Sequence, residues 1–485
     1  MKTTFKFIIA AMAAVSVFSS CQKELANETV NNTTGGVRTI AVQFDNSTKA
    51  TLDEFTPKFA NGDAIRVSNT EKSEECTVSV DGSGNATFST TLSGNLTAIY
   101  PSAAAVLASE ATDAPIASSN NFKVLATQDG TVEKAIIASA TVEEGVTTAT
   151  FDGLTALFQI TPPAGATTFT ITSLNKIDAT TGRRSTTANA VAINTEGADD
   201  AAKRVINVNV PSDGTAYVAL KVGVNLTDLS FDAGGTYGMK GIPAKDITAK
   251  GKTDATAAKT KYTIDNTNWH PYVTVNGKKW ATMNIGATAL KGKPYCWGYI
   301  LAWGAVKPFL SASSNDGGST INFNIAANNP DAVRYNPDTW APGSGFEACN
   351  APYYNGSAYT KYTGESGDSK DVLDLVDDAA YYWWGGSWRM PTKEEFDGLI
   401  SLIDSYDQTD KGCYIGESEK FFLTANVFVM GTSPMFGWAG NYWTSSLNTE
   451  DSNSARTFDF SKSGFDDTMG ARERSYGRTV RALSD

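Results

Sequence analysis

From Val37 to about Ile264 apolar residues return at every second position, in short runs cut by turn residues. Ile40, Val42 and Phe44 form one run; Val205, Ile206, Val208 and Val210 another; Tyr217, Val218, Leu220 and Val222 a third. An extended chain turns alternate side chains to opposite faces, so this period marks strands with one face buried and one wet. Asp81-Gly82-Ser83-Gly84-Asn85 lies between Thr77–Val80 and Ala86–Ser89 and reads as a hairpin turn. A long series of such strands without helices between them favours antiparallel β-sandwiches. The stretch is too long for one sandwich of about 100 residues. Two are expected, 37–150 and 151–265, the second opening at the run Phe151 to Ile160. The exposed loop Ala249–Thr260 would precede its last strand, Lys261–Ile264.

Composition changes after residue 268, where all ten tryptophans lie. Residues 266–485 are therefore a separate domain, read as α+β. Val372, Leu375, Val376 and Ala379 follow helical spacing, with Ser369 or Asp368 as N-cap. Phe396, Leu399, Ile400 and Ile403 repeat that spacing behind Thr392 and Glu395, which have the form of a capping box. The fold class expected is multidomain and mostly β.

At the amino terminus Lys2 and Lys6 flank the start of an apolar stretch, Phe7 to Phe18. At about a dozen residues it is too short to span a bilayer and right for the core of an export signal. It ends in Ser19-Ser20 before Cys21. The pattern resembles a bacterial lipobox, although Phe18 stands where that motif usually carries leucine. The resemblance implies cleavage before Cys21 and diacylglycerol on its sulfur. Residues 1–20 are then a lipoprotein signal peptide and 21–36 a polar, flexible tether to the membrane.

Net charge is −12, so the surface repels phosphate backbones and argues against a nucleic-acid partner. Cys76, Cys296, Cys349 and Cys413 have no CxxC spacing; the last three leave room for one disulfide. His270 is the sole histidine, so a Ser-His-Asp or Cys-His arrangement would have to use it, and no GxSxG element accompanies it. No dinucleotide or Walker loop occurs, and neither a metal nor a cofactor is expected. Glu394 and Glu395 are adjacent at a helix start, where capping explains them better than acid–base catalysis. Asp371, Asp374, Asp377 and Asp378 are read as a solvated helix face, and Asp81, Ser83 and Asn85 as a turn lacking the glutamate of a calcium loop.

Thr48-Lys49-Ala50-Thr51-Leu52, the run Phe59-Ala60-Asn61-Gly62-Asp63-Ala64-Ile65-Arg66-Val67, and Ala98-Ile99-Tyr100-Pro101 resemble the fimbrillin-like family of Bacteroidetes surface lipoproteins. The resemblance covers roughly 37–264 and implies two transthyretin-like β-sandwiches, as used in fimbrial subunits and adhesins. The last domain resembles the Fibrobacter succinogenes major paralogous domain, a C-type-lectin-like module of secreted proteins. The match is carried by Val275–Gly286, Tyr299–Gly304, Trp384–Phe396, Tyr442–Ser446 and Gly477–Arg481. The Glu-Pro-Asn, Gln-Pro-Asp and Trp-Asn-Asp elements of calcium-dependent lectins do not occur. Arg389 to Glu395 is similar to an element of formylglycine-generating enzymes, but their cysteine pair near the domain end is missing, since the last cysteine is Cys413.

Trp388, Tyr442 and Trp443 are assigned to the core. Trp340, Tyr353, Tyr354, Phe436 and Trp438 lie in Gly-, Pro- and Asn-rich segments, read as loops, and are the candidates for ligand contact. The expectation is a lipid-anchored adhesin-like protein of the outer membrane, facing the cell surface. Its β-sandwich stalk would present the last domain to a glycan or protein ligand. One alternative is a structural unit that joins other fimbrial subunits by strand exchange. The other is an enzyme acting on glycans or generating formylglycine, against which the lone histidine and the position of the cysteines count.

Overall fold

A computed structural model describes residues 36–45, 58–243, 246, 261–290, 296–306, 310–315, 321–324, 352–355, 357–364, 367–407, 412–416, 421–424, 426–430, 433–461 and 469–485. The chain is mostly β, with few helices. Cys21, Trp340, Cys349 and the Thr48–Leu52 element lie outside the described residues. No helix among the described residues is long and apolar enough to cross a membrane.

In the first lobe the period-two alternation becomes register. Strand Arg38–Phe44 buries Ile40, Val42 and Phe44 and leaves Thr39 and Gln43 exposed. It pairs antiparallel with Ala86–Thr90 and parallel with Thr148–Gly153, in the interior of an eight-stranded order. The core beneath gathers Ile40, Phe44, Ile65, Val67, Phe88 and Phe151. Phe59 stacks on Phe44 at 4.3 Å and meets Tyr100 and Phe151 edge-on at 5.2 and 5.3 Å. The chain then turns at Gly62, whose φ is +96°, while the Asp63 carboxylate accepts the Ala60 N–H at 2.8 Å. The Phe-to-Asp element is thus an aromatic plug followed by a self-capped turn into strand Ala64–Ser68. Asp81 Oδ1 accepts the N–H groups of Ser83 and Asn85, which makes that segment a hairpin turn.

In the second lobe two sheets share one core. Phe158, Ile160, Val218, Leu220 and Ile264 come from a three-stranded sheet; Phe169, Ile171, Ile206, Val208 and Phe231 come from a five-stranded one. Ile99, Ala104, Val124 and Ile137, from earlier in the chain, join the same core.

The third lobe closes on itself. Strand Lys278–Asn284 pairs on one side with Tyr272–Val275 and on the other with Arg481–Ser484, so its beginning and end meet. Trp280, Trp297, Trp303, Trp388 and Trp443 are fully buried, which is where the tryptophan-rich composition goes. Truncating any one of them to alanine costs about 3–5 kcal/mol. Helix Lys393–Ile400 starts as its sequence predicts: the Thr392 hydroxyl accepts the Glu395 N–H, and Glu395 accepts the Thr392 N–H at 2.8 Å. The other helix departs from the reading. Val372 and Leu373 are not helical, Leu375–Asp377 is a single 3-10 turn, and the α-helix runs Ala379–Trp384 with Asp378, not Ser369 or Asp368, as N-cap. Asp378 wins because its carboxylate reaches the N–H groups of Ala380 and Tyr381 and also that of Met390, fixing two segments at once.

The second and third lobes exchange core residues. Trp269 packs in the second core, 6.4 Å from Phe169, while Met239 packs in the third. Met239 and His270 exchange both backbone hydrogen bonds, at 2.8 and 3.0 Å. A Cβ on Gly241 would lie 2.2 Å from the Gly385 and Gly386 backbone, so only glycine permits this approach.

Candidate functional site

Three of the four aspartates read as a solvated face are buried and engaged. Asp374 is 5% and Asp377 7% exposed. Lys361 Nζ lies 2.6 Å from each carboxylate, and Lys370 Nζ is 2.7 Å from Asp374. Tyr362 donates its hydroxyl to Asp377 at 2.5 Å and accepts the Asp374 N–H at 2.9 Å. Tyr353 also donates to Asp377. The correction has a simple cause. A helical register would point these side chains to water, whereas the observed turn brings them under the loop that carries Tyr353 to Tyr362.

Burial alone would raise the Asp374 pKa, but hydrogen bonds and charge from Lys361 and Lys370 hold it below the usual carboxylate range. Burial would lower the Lys361 pKa, and the two aspartates raise it instead. For Tyr362, burial and the Asp377 hydrogen bond both push the phenol up. The cluster is two carboxylates neutralised by two ammonium groups. It is suited to holding a loop, because both carboxylates are bonded to side chains that the loop carries.

The loop itself folds back as a hairpin. The Tyr353 carbonyl accepts the Thr360 N–H at 2.7 Å, and Tyr354 packs edge-on against Tyr359 at 5.2 Å. Beneath it Arg474 is fully buried, with its guanidinium 3.8 Å from the Tyr359 ring centre and 4.8 Å from that of Trp303. It donates to the carbonyls of Lys361, Tyr362 and Ser452. Burial lowers its pKa to about 10, against which nearby tyrosines and Asp368 act.

A turn of the second lobe reaches the far end of this network. Gly182 accepts the Leu375 N–H at 2.8 Å, and Arg183 donates to the Leu373 carbonyl at 2.8 Å. Gly182 has φ +65°, and a Cβ there would fall 2.3 Å from Asp374 Cγ. Arg184 binds Asp228 at 2.8 Å and the Gly386 carbonyl at 3.0 Å. Across the same junction Asp232 receives Lys279 at 2.7 Å and the Tyr272 hydroxyl at 3.1 Å.

Of the five candidate ligand aromatics, the structure places Tyr353 and Tyr354 together in this hairpin, both half-buried. Phe436 and Trp438 are on strand Ser433–Leu447 and not in a loop. Its partner Asn426–Met430 carries β-branched Val427 and Val429, which favours pairing over an open loop. The register shifts between Phe436 and Ala439, so Trp438 falls in an irregularity of the ladder. Trp388, Tyr442 and Trp443 are fully buried, as assigned. Glu395 forms a bidentate pair with Arg389 at 2.6 and 2.7 Å, and Asp485 joins it at 2.7 Å, so the Arg389-to-Glu395 element is structural. His270 stacks on Trp384 at 3.6 Å, and its Nε2 is buried without a hydrogen-bond partner among the described residues. Cys76 and Cys413 are buried thiols. No group of three or more His, Cys, Asp or Glu side chains able to hold a metal ion occurs among the described residues. A cavity of about 270 Å³ opens in the second lobe beside Gln128, Asn209 and Tyr217, remote in sequence from the aromatic hairpin.

Sequence reasoning missed the Gly182–Arg184 turn. Its signal was two adjacent arginines in a half-chain otherwise poor in charge.

No protein-family model matches the chain, and no curated protein matches it. Among solved structures, it is similar to a candidate cell adhesion protein from Bacteroides uniformis, at 15% identity and TM-score 0.27, over 49% of this chain and 95% of that one. It is also similar to a fimbrial protein from Bacteroides ovatus, at 12% identity and TM-score 0.24, over 92% of this chain and 98% of that one. A fimbrial assembly protein from Parabacteroides distasonis matches at 11% identity and TM-score 0.24, over 50% of this chain and 94% of that one.

Proposed function

We propose that the chain is a fimbrillin-like, lipid-anchored adhesin of the outer-membrane surface. Two β-sandwiches, 37–150 and 151–265, serve as stalk, and a C-type-lectin-like domain, 266–485, is the binding head. Cys21 carries the lipid, and binding needs no cofactor. The observation that carries this reading is the hairpin in which Tyr353 and Tyr354 stay half-exposed, with buried Tyr359 packed against Tyr354, on a frame of buried ion pairs. Aromatic side chains fixed in this way offer contact area at little entropic cost, and a sugar face or an apolar protein surface fits them. Trp438, in its strand irregularity, and Trp340 are further contact candidates.

The test uses the lipid-free chain from residue 22 onward on a broad glycan array. Binding that disappears in Tyr354→Ala or Trp438→Ala supports a sugar-reading head. A folded chain that captures neither glycans nor surface proteins removes the adhesin reading.

One observation favours a second reading, a fimbrial subunit joined by strand exchange. Strand Arg38–Phe44 lies between two others, and the Arg38 guanidinium holds the carbonyls of Gly94, Glu143 and Val146. Its removal would open two sheet edges to a strand from another subunit. Cleavage after Arg38 strips this guanidinium anchor and leaves Thr39–Phe44 free to be displaced; ladders on a gel after such cleavage would support the reading, and a monomer would exclude it.

A further inference from the structure

We infer that the Gly182–Arg183 turn of the second lobe positions the Tyr353–Tyr362 hairpin of the third, acting through the segment Leu373–Asp378. Gly182 and Arg183 grip the backbone of that segment through Leu375 N–H and the Leu373 carbonyl. The same segment presents Asp374 and Asp377 to Lys361, Tyr353 and Tyr362. Leu373 is fully buried, its N–H held by the Ser445 carbonyl and its own carbonyl by Arg183, so the turn supplies one of the two backbone ties that set where this residue sits. Gly182 fits only because it has no side chain, with the carboxylate of Asp374 filling the place of a Cβ. Each link is a hydrogen bond to a charged or buried group, the kind whose loss leaves an unpaired partner behind. Arg183 and Asp377 are therefore positioning residues for the aromatic hairpin, and the second lobe of the stalk braces the contact surface of the binding head. This deepens the adhesin reading by naming what fixes its contact surface.

The experiment is hydrogen exchange on the full lipid-free chain, which needs no ligand and so fails or succeeds separately from the adhesin reading. Arg183→Ala is expected to speed exchange in 357–364 by about tenfold, with strands Tyr272–Val275 and Lys278–Asn284 unchanged. Arg183→Lys, which keeps a donor, is expected to restore most of the protection. Arg184→Ala is the control: it loosens the same junction at Gly386 and Asp228 and is expected to leave 357–364 protected. If Arg183→Ala does not fold, Arg183→Gln makes the same comparison. Unchanged exchange in 357–364 for the Arg183 variants, or equal deprotection by Arg184→Ala, overturns the inference.

Discussion

The buried charges of the third lobe are where single residues matter most. Tyr362 both donates to Asp377 and accepts from Asp374, so Tyr362→Phe leaves a carboxylate oxygen and a backbone N–H short of a partner. The expected loss is about 1.5–3 kcal/mol, the range for a hydrogen bond to a charged group, read from urea unfolding. Gly182→Ala adds a methyl against Asp374 at a φ that side chains avoid. It is expected to lower the melting temperature more than Gly214→Ala, whose Cβ meets nothing within 4 Å although its φ of +81° is just as unusual. Equal effects would mean that backbone strain, and not the Asp374 contact, sets the cost. None of these roles was legible in the sequence. Asp374 and Asp377 look like a hydrophilic stripe until their lysine and tyrosine partners are placed, and Arg474 looks like a surface charge until Tyr359 and Trp303 enclose it.

Elements were read more successfully than residues, because their signals are local. The alternation of Arg38–Phe44, the Asp81 turn and the Thr392 capping box each involve groups within a few positions of one another. Thr392→Ala is expected to cost about 1 kcal/mol, measured by thermal unfolding, since it strips one half of that box. The Glu395 half is also tied to Arg389, whose hydrogen bonds and charge offset burial and hold its carboxyl below the usual range. Its contribution is complete above the ordinary glutamate pKa and is lost as the pH falls through the lower folded value. Below about pH 4 Glu395→Gln should accordingly differ less from the parent chain than at neutrality. The misread helix at Val372–Ala379 shows the limit of periodicity. Spacing alone cannot tell a helix from a turn whose apolar residues are buried for separate reasons, and Val372 is held by Ser446, far along the chain.

At the scale of the molecule, the junction between the second and third lobes governs how the parts behave. Trp269 and Met239 each sit in the neighbouring core, and Arg183, Arg184 and Asp232 reach across. Residues 266–485 alone are expected to melt at a lower temperature than the same lobe in the full chain; identical melting would mean the lobes are independent. His270 lies in this junction, and burial, aided by the charge of Lys240, pushes its imidazole from 6.5 down to about 3. Between those values the unfolded chain binds a proton that the folded chain does not, so acid favours unfolding. Stability from this source is complete above about pH 6.5 and shrinks as the pH falls toward about 3. Melting temperature is expected to drop between about pH 7 and pH 5, and His270→Phe is expected to flatten that slope.

What the sequence by itself determined is whatever depends on near neighbours: strand-rich lobes, the turns between them, the capped helix, and a tryptophan-rich last domain whose aromatics fill its core. What only the tertiary structure decided is which charged groups are buried and what they hold. Arg183 finds Leu373 across 190 positions and Arg474 finds Lys361 across 113. A charge leaves water only where the fold supplies its partners, and those partners come from segments that the order of the chain keeps apart.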